Sequence, residues 1–189
     1  MIDAPTLIAR LAAMVPGASL EPGSDTDQPT IHLTADDLVP VVRVLHDTAD
    51  LGFSYLADLT AVDWWPKEPR FEVVYHLASF EPSARLRLKV RVSGSAAQVP
   101  TLKGVWPAAD WLEREVWDLF GIVFDGHNDL RRLLMPDEWE GHPLRKDYPV
   151  QVKVPVRIGE PLQVSEEEFR ENIEMDRRIR GGAGRGTDA

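Results

Sequence analysis

A chain of 189 residues that is 43% hydrophobic and 28% charged has the composition of one ordinary globular domain, long enough to bury a core without disulfides or a structural metal. With no cysteine, it cannot supply the ligands of an iron–sulfur cluster, a zinc thiolate site, a disulfide or a thiol nucleophile. Its formal net charge of -10 argues against a general nucleic-acid binder, which needs a basic patch or stripe.

The first residues, Met1 to Pro5, lack the basic segment and apolar run of a targeting signal. No apolar stretch approaches the roughly 18 residues of a membrane span, so the expectation is a cytosolic protein or one peripheral to a larger body. Pro5 to Met14 reads as a short amphipathic helix with Leu7, Ile8, Leu11 and Met14 on one side, stopped by Pro16-Gly17. A strand is expected at Thr30 to Leu33. Thr34-Ala35-Asp36-Asp37 then opens a helix running to about Ala49, with Gly52 just past its end. Three strands follow, at 53–63, 71–80 and 85–92, joined by Pro-containing turns as an antiparallel meander. Helices before strands, with hairpins between the strands, predict an α+β fold: a two-layer domain whose mixed, largely antiparallel sheet is covered by helices on one face.

Arg85-Leu86-Arg87-Leu88-Lys89-Val90-Arg91-Val92 alternates throughout, putting four cations on one face and four apolar residues on the other. Such a stripe could dock an acidic partner or phosphate. More plainly, it is a solvated face whose charges deter edge pairing.

From Trp106 the character changes, because four of the six tryptophans fall at 106, 111, 117 and 139. A helix is expected from Pro107 to Phe120, with Gly121 as its stop. At 100° per residue, Glu113 lands inside the apolar arc of Leu112, Val116, Trp117, Leu119 and Phe120. A carboxylate there is costly unless paired, and Arg131, Arg132 and Arg145 are the expected partners, with a proton-handling role as the functional alternative. Arg114 and Asp118 fall on the opposite face as an exposed i,i+4 pair contributing about 0.3–0.5 kcal/mol. His127 and His142 each follow a glycine in turn-like contexts. Their spacing fits no metal signature, so the stand-alone metal hydrolase that two histidines and a carboxylate could make is the weaker alternative to turn-stabilising or interface histidines.

Three blocks in order carry a family resemblance. They are Glu113-Arg114-Glu115-Val116-Trp117-Asp118-Leu119-Phe120-Gly121-Ile122; Gly126-His127 with Asp129-Leu130-Arg131-Arg132-Leu133-Leu134; and Glu140-Gly141-His142-Pro143-Leu144-Arg145-Lys146-Asp147-Tyr148-Pro149. This pattern resembles the thirty-kilodalton-type subunit of respiratory complex I, NADH:quinone oxidoreductase, lettered C in the bacterial enzyme. Asn128 departs from it, standing where the family usually has proline.

The resemblance implies a non-catalytic scaffold in the peripheral arm of a proton-translocating enzyme, on the cytoplasmic side of the bacterial plasma membrane. NADH, FMN, iron–sulfur clusters and quinone would then be used by the complex and bound by other chains. The implied partners are the hydrogenase-like large subunit and the small terminal-cluster subunit, with no nucleic acid and an indirect membrane association. The equivalent subunit of a related membrane-bound hydrogenase is the nearest alternative.

The domain is expected to close at about residue 149, followed by a partner-wrapping arm over 150–189. Val150, Val152, Val154, Val156 and Ile158 alternate with polar residues and Pro155, giving an extended ribbon with one apolar edge. Ser165-Glu166-Glu167-Glu168 signals a capped helix to about Arg180, and Gly181 to Ala189 is expected to be disordered.

Overall fold

The computed structural model describes residues 3–24, 27–81, 83–149 and 165–182. The helices form where the caps and periodicity place them. In α1 (Ala4–Met14), the Asp3 side chain accepts from the Thr6 N–H at 3.2 Å. In α2 (Ala35–Asp47), the Thr34 hydroxyl accepts from the Asp37 N–H at 3.3 Å. Caps of this kind stabilise a helix by about 1 kcal/mol. The Asp37 carboxylate also accepts the Ser19 N–H at 3.0 Å, tying the start of α2 to the chain leaving α1.

Five strands build the main sheet: β1 (Leu20–Pro22), β2 (Thr30–Leu33), β3 (Tyr55–Asp63), β4 (Phe71–Ser79) and β5 (Ala84–Val92). Their order is β1-β2-β5-β4-β3, antiparallel except for the β2–β5 pair. The meander over β3 to β5 forms as its turns predict. The parallel pairing brings the short β2 in beside β5, so β5 is a central strand. The expectation that its cations guard a sheet edge is therefore wrong, because hydrogen bonds to β2 and β4 already occupy both sides of that backbone. The alternation itself holds: Leu86, Leu88, Val90 and Val92 are buried with Phe71, Val73, Tyr75 and Leu77 of β4 under the helices, and the cations line the other face. Burying each large apolar side chain in this layer stabilises by about 1.5–3 kcal/mol.

A second, two-stranded parallel ladder joins β6 (Gln98–Pro100) to β7 (Val123–Asp125), bracketing α3 (Ala109–Phe120). Trp106 is buried just before α3, its indole N–H donating to the Phe53 carbonyl at 3.2 Å. α3 packs on β3 and ends at Gly121, whose φ of 72° is the left-handed conformation expected of a glycine stop.

The chain divides into a unit ending at Tyr148 and a second unit from Pro149 onward. In the second unit, α4 (Glu166–Gly182) begins with the expected capping box. The Ser165 N–H donates to the Glu168 carboxylate at 3.1 Å and the Glu168 N–H donates to the Ser165 hydroxyl at 3.2 Å. α4 runs two residues past Arg180 and so takes in Gly181 and Gly182. Phe169, Ile173 and Met175 are exposed on it. The ribbon expected over 150–158 and the end beyond Gly182 lie outside the described residues. No helix among the described residues is long and apolar enough to cross a membrane.

The first unit has its own core, so truncation after Pro149 is expected to leave a cooperatively folded domain. Circular dichroism should show one sharp thermal transition in the truncated chain; a broad, non-cooperative melt would count against this division.

Candidate functional site

The last turn of α3 leaves backbone carbonyls without partners inside the helix, and this negative end attracts cations and donors. Residues 131–148 supply them. Arg132 Nη1 donates to the Asp118 carbonyl at 3.2 Å and His142 Nδ1 bonds the same oxygen at 2.9 Å. The Leu144 N–H reaches the Leu119 carbonyl at 3.0 Å, and Arg145 donates to the carbonyls of Phe120 at 2.5 Å and Gly121 at 3.3 Å. A Cβ at Gly121 would collide with the His142 ring and the Arg145 guanidinium, which explains glycine there twice over.

The side chain of Asp118 completes this lock. It is 0% exposed. One oxygen takes Arg132 Nη1 at 2.8 Å; the other accepts the consecutive N–H groups of Leu133, Leu134 and Met135 at 3.0, 2.7 and 2.9 Å. Burial opposes ionisation of this carboxyl, but the Met135 N–H, the Arg132 guanidinium and the Leu133 and Leu134 N–H groups outweigh it and hold its pKa at about 2. Arg132 also donates to the carbonyls of Trp139 at 2.6 Å and Gly141 at 3.1 Å, and lies 5.6 Å over the Trp117 ring. His142 meets that indole edge-on, burial holding its pKa below the ordinary histidine value.

Arg114 and Asp118 are therefore not an exposed pair. Arg114 is buried, lies 4.9 Å over the Trp111 ring and donates to the carbonyls of Arg131 at 3.4 Å and Arg132 at 3.3 Å. The loop covers the face of α3 that helix periodicity alone leaves to solvent. Glu115 is half-buried and takes no part in the lock.

Glu113 is buried as expected, at 0% exposure, but its partners are not arginines. It accepts from the Thr101 hydroxyl at 2.5 Å and the Leu102 N–H at 2.6 Å, pinning the segment between β6 and α3. Arg131, Arg132 and Arg145 are all engaged beyond its reach: Arg131 pairs with Asp129 at 3.1 Å, and the other two face the C-terminal end of α3. Burial raises the Glu113 pKa, against the pull of the two hydrogen bonds.

The two histidines sit at opposite ends of α3. His127, its side chain buried, bonds the Asp110 carbonyl at 3.1 Å in the first turn, accepts the Asp129 N–H at 3.1 Å and pairs with the Asp110 carboxylate at 3.2 Å. His142 serves the last turn. Gly126 and Gly141 form left-handed turns at φ 83° and 79°. Asn128 ties its turn by accepting Lys103 Nζ at 2.6 Å. Among the described residues, no group of three or more His, Asp or Glu side chains could hold a metal ion.

The third motif block is anchored by residues that the sequence reading misses. Arg70 forks both oxygens of buried Asp63, at 2.9 and 2.7 Å, and both of Asp147, at 2.9 and 2.6 Å. Asp63 further accepts the Lys146 N–H at 2.8 Å, and these bonds outweigh burial to hold its pKa at about 2. The one available signal was a pair of opposite charges at the two bases of a Pro-rich hairpin, a cross-strand arrangement. Tyr148 stacks on Trp139 at 6.3 Å and donates to the Glu140 carbonyl at 3.2 Å; Pro143 lies within the loop and exposed Pro149 ends the block.

These features define a one-faced α+β domain whose motif residues hold an irregular loop rigidly against its third helix. The model for the respiratory-chain NADH dehydrogenase 30 Kd subunit matches residues 31–154, and the chain belongs to this family. The C subunit of the NADH-quinone oxidoreductase of Roseiflexus castenholzii is 48% identical over 149 residues, 79% of this chain and 86% of that protein. A C subunit of the Rhizobium etli enzyme is 43% identical over 146 residues, 73% of this chain and 72% of that one. Among solved structures, the trypsin-resistant fragment of Nqo5 shares the fold at TM-score 0.56 and 30% identity, over 67% of this chain and 98% of the fragment. A chain of the membrane-bound sulfane sulfur reductase, an archaeal respiratory membrane complex, matches at TM-score 0.67 and 28% identity, over 86% and 96%.

Asp118→Asn leaves Arg132 facing an amide and is expected to destabilise the domain by about 3–5 kcal/mol in urea denaturation. The stability contributed by Asp118 and Asp63 should be fully present above pH 3.8 and fall as the pH drops toward 2, because both titrate there in the folded state and near 3.8 when unfolded. Glu113 has the opposite sign: its raised pKa contributes stability below 4.5 that is lost as the pH rises through the folded value. A glutamine keeps the Leu102 N–H bond on its oxygen and can donate its NH2 to the Thr101 hydroxyl oxygen in place of the bond accepted there, without charge, so Glu113→Gln should be at least as stable as wild type at pH 7, the advantage shrinking in acid. Glu113→Ala should cost about 1–3 kcal/mol by stranding the Leu102 N–H.

Proposed function

We propose that this chain is a non-catalytic scaffold subunit of the peripheral arm of a proton-translocating NADH:quinone oxidoreductase, on the cytoplasmic side of the bacterial plasma membrane. It holds the hydrogenase-like large subunit and the small terminal-cluster subunit in register. The flavin, clusters and quinone of the complex belong to other chains, in keeping with a sequence that has no cysteine.

One observation carries this role. The buried lock around Asp118 fixes a loop whose apolar side chains face outward, Leu134, Trp139 and Leu144 at 58, 37 and 48% exposed, beside Trp111 of α3 at 58%. The Leu134 N–H is held by Asp118 while its side chain stands in solvent. Large apolar groups held rigidly outward mark an interaction surface, since pre-ordering them lowers the entropy lost on association.

The likeness to the sulfane sulfur reductase chain favours a second reading, the equivalent subunit of a related respiratory membrane complex. Affinity capture of the tagged chain from its native membrane, followed by an NADH–quinone assay on the captured material, separates the two. NADH-dependent quinone reduction is expected; a captured complex that does not oxidise NADH selects the second reading. Leu134→Glu should leave the isolated chain folded and reduce the large subunit recovered with it by about tenfold, a loss typical of a central interface residue. Full recovery with that variant would overturn the scaffold role of this surface.

A further inference from the structure

The face of the sheet away from the helices carries the cation stripe, and its four members are not equivalent. Arg87 forks Asp27 at 3.2 and 2.6 Å. Lys89 and Arg91 both reach buried Glu72, at 3.0 and 3.4 Å. Arg85 is exposed and takes no partner among the described residues. Arg85 is thus the one member of the stripe with no carboxylate against it among the described residues, and it stands at the β4–β5 turn end of the sheet.

A groove of about 600 Å³ lies at that end. Tyr55 stands opposite Ala78 on this face, and the bulge between Leu56 and Asp58 breaks the ladder next to it, as an inserted residue does. Phe80 and Tyr55 form a tilted pair with ring centroids 5.9 Å apart, yet remain 72 and 49% exposed. Beside them, the Gln28 side chain, oriented with its oxygen toward His76 Nδ1 and Arg87, holds both at 2.9 Å, so the groove wall is preorganised.

The geometry points to this groove as a docking site for an acidic, extended segment of a neighbouring protein, with a carboxylate on Arg85 and an adjoining apolar side chain on the Tyr55–Phe80 pair. Exposed Tyr, Phe and Arg side by side are the residue types enriched at interface centres, and Arg presents a fork that matches a carboxylate. Nucleic acid and anionic lipid fit less well. Both need several uncompensated cations in a row, whereas Asp27 takes Arg87 and Glu72 is shared by Lys89 and Arg91, so those three cations carry a single surplus charge between them. The partner inferred here rests on the reading of the chain as a subunit of a larger assembly, and deepens it with a surface on the opposite side of the sheet from α3.

The test uses the intact complex from native membranes, with Phe80 replaced by a photoreactive benzoylphenylalanine and the same group at exposed Arg43 as the control. A crosslink is expected at position 80 to one segment of net negative charge. Arg85→Glu should reduce its yield by about tenfold, measured per unit of assembled complex. Placing Lys at the crosslinked carboxylate should restore it. No crosslink above the Arg43 control, a crosslink to a neutral or basic segment, to lipid or to nucleic acid, or insensitivity to Arg85→Glu overturns the proposal. A chain that fails to co-purify with any complex instead counts against its membership of an assembly, so the two failures are distinct.

Discussion

The first unit depends on one buried carboxylate. Asp118 gathers a guanidinium and three consecutive backbone N–H groups onto the end of α3, so a loop with little regular structure is held as firmly as a strand. The energetic logic is reciprocal. The helix end needs donors for its free carbonyls, and the loop needs acceptors for its buried N–H groups. Arg132 and Arg145 then meet the negative end of the helix dipole, where cations are favoured, and His142 adds a hydrogen bond there. Removing one member leaves its partners buried and unsatisfied, and this makes the arrangement cooperative.

A second constraint ties that loop to the sheet. Arg70 joins Asp63 at the end of β3 to Asp147 beyond the lock, and the Lys146 N–H closes the same knot. Two charged clusters at opposite ends of residues 132–147 thus span an irregular segment that neither helix nor strand propensity could hold. The apolar side chains it displays are positioned by polar bonds made beneath them. Such a division suits a surface built for partners, because a lock made of apolar packing would have to bury the same side chains.

Much of the fold was legible in the residues. Thr34 and Gly121 mark helix ends because a hydroxyl acceptor and a left-handed backbone are local requirements. The alternation of Arg85 to Val92 announces a half-buried strand for an equally local reason, the period of two. What periodicity could not place was the second face of α3. Read as an isolated helix, Arg114 and Asp118 point to solvent; in the folded chain the loop at 131–135 covers them, and that loop is brought there by contacts some 14–18 residues away. Glu113 shows the complementary case. Its burial followed from the helical arc, but its partners are Thr101 and the Leu102 N–H, on a preceding segment with no charge to advertise it.

From its sequence alone this chain determined its family blocks, its four helices and the strands β2 to β5, its helix ends and the lack of any thiol chemistry, since each depends on residue identity or on spacing within a few turns; the short strands β1, β6 and β7 carry no such pattern. Tertiary structure alone decided that β5 is central, that Asp118 is the keystone and that Asp63 and Arg70 belong to the site. Those outcomes depend on which distant backbone groups are left without partners once the layers pack, and the only local trace of them is the pair of opposite charges at the bases of the β3–β4 hairpin.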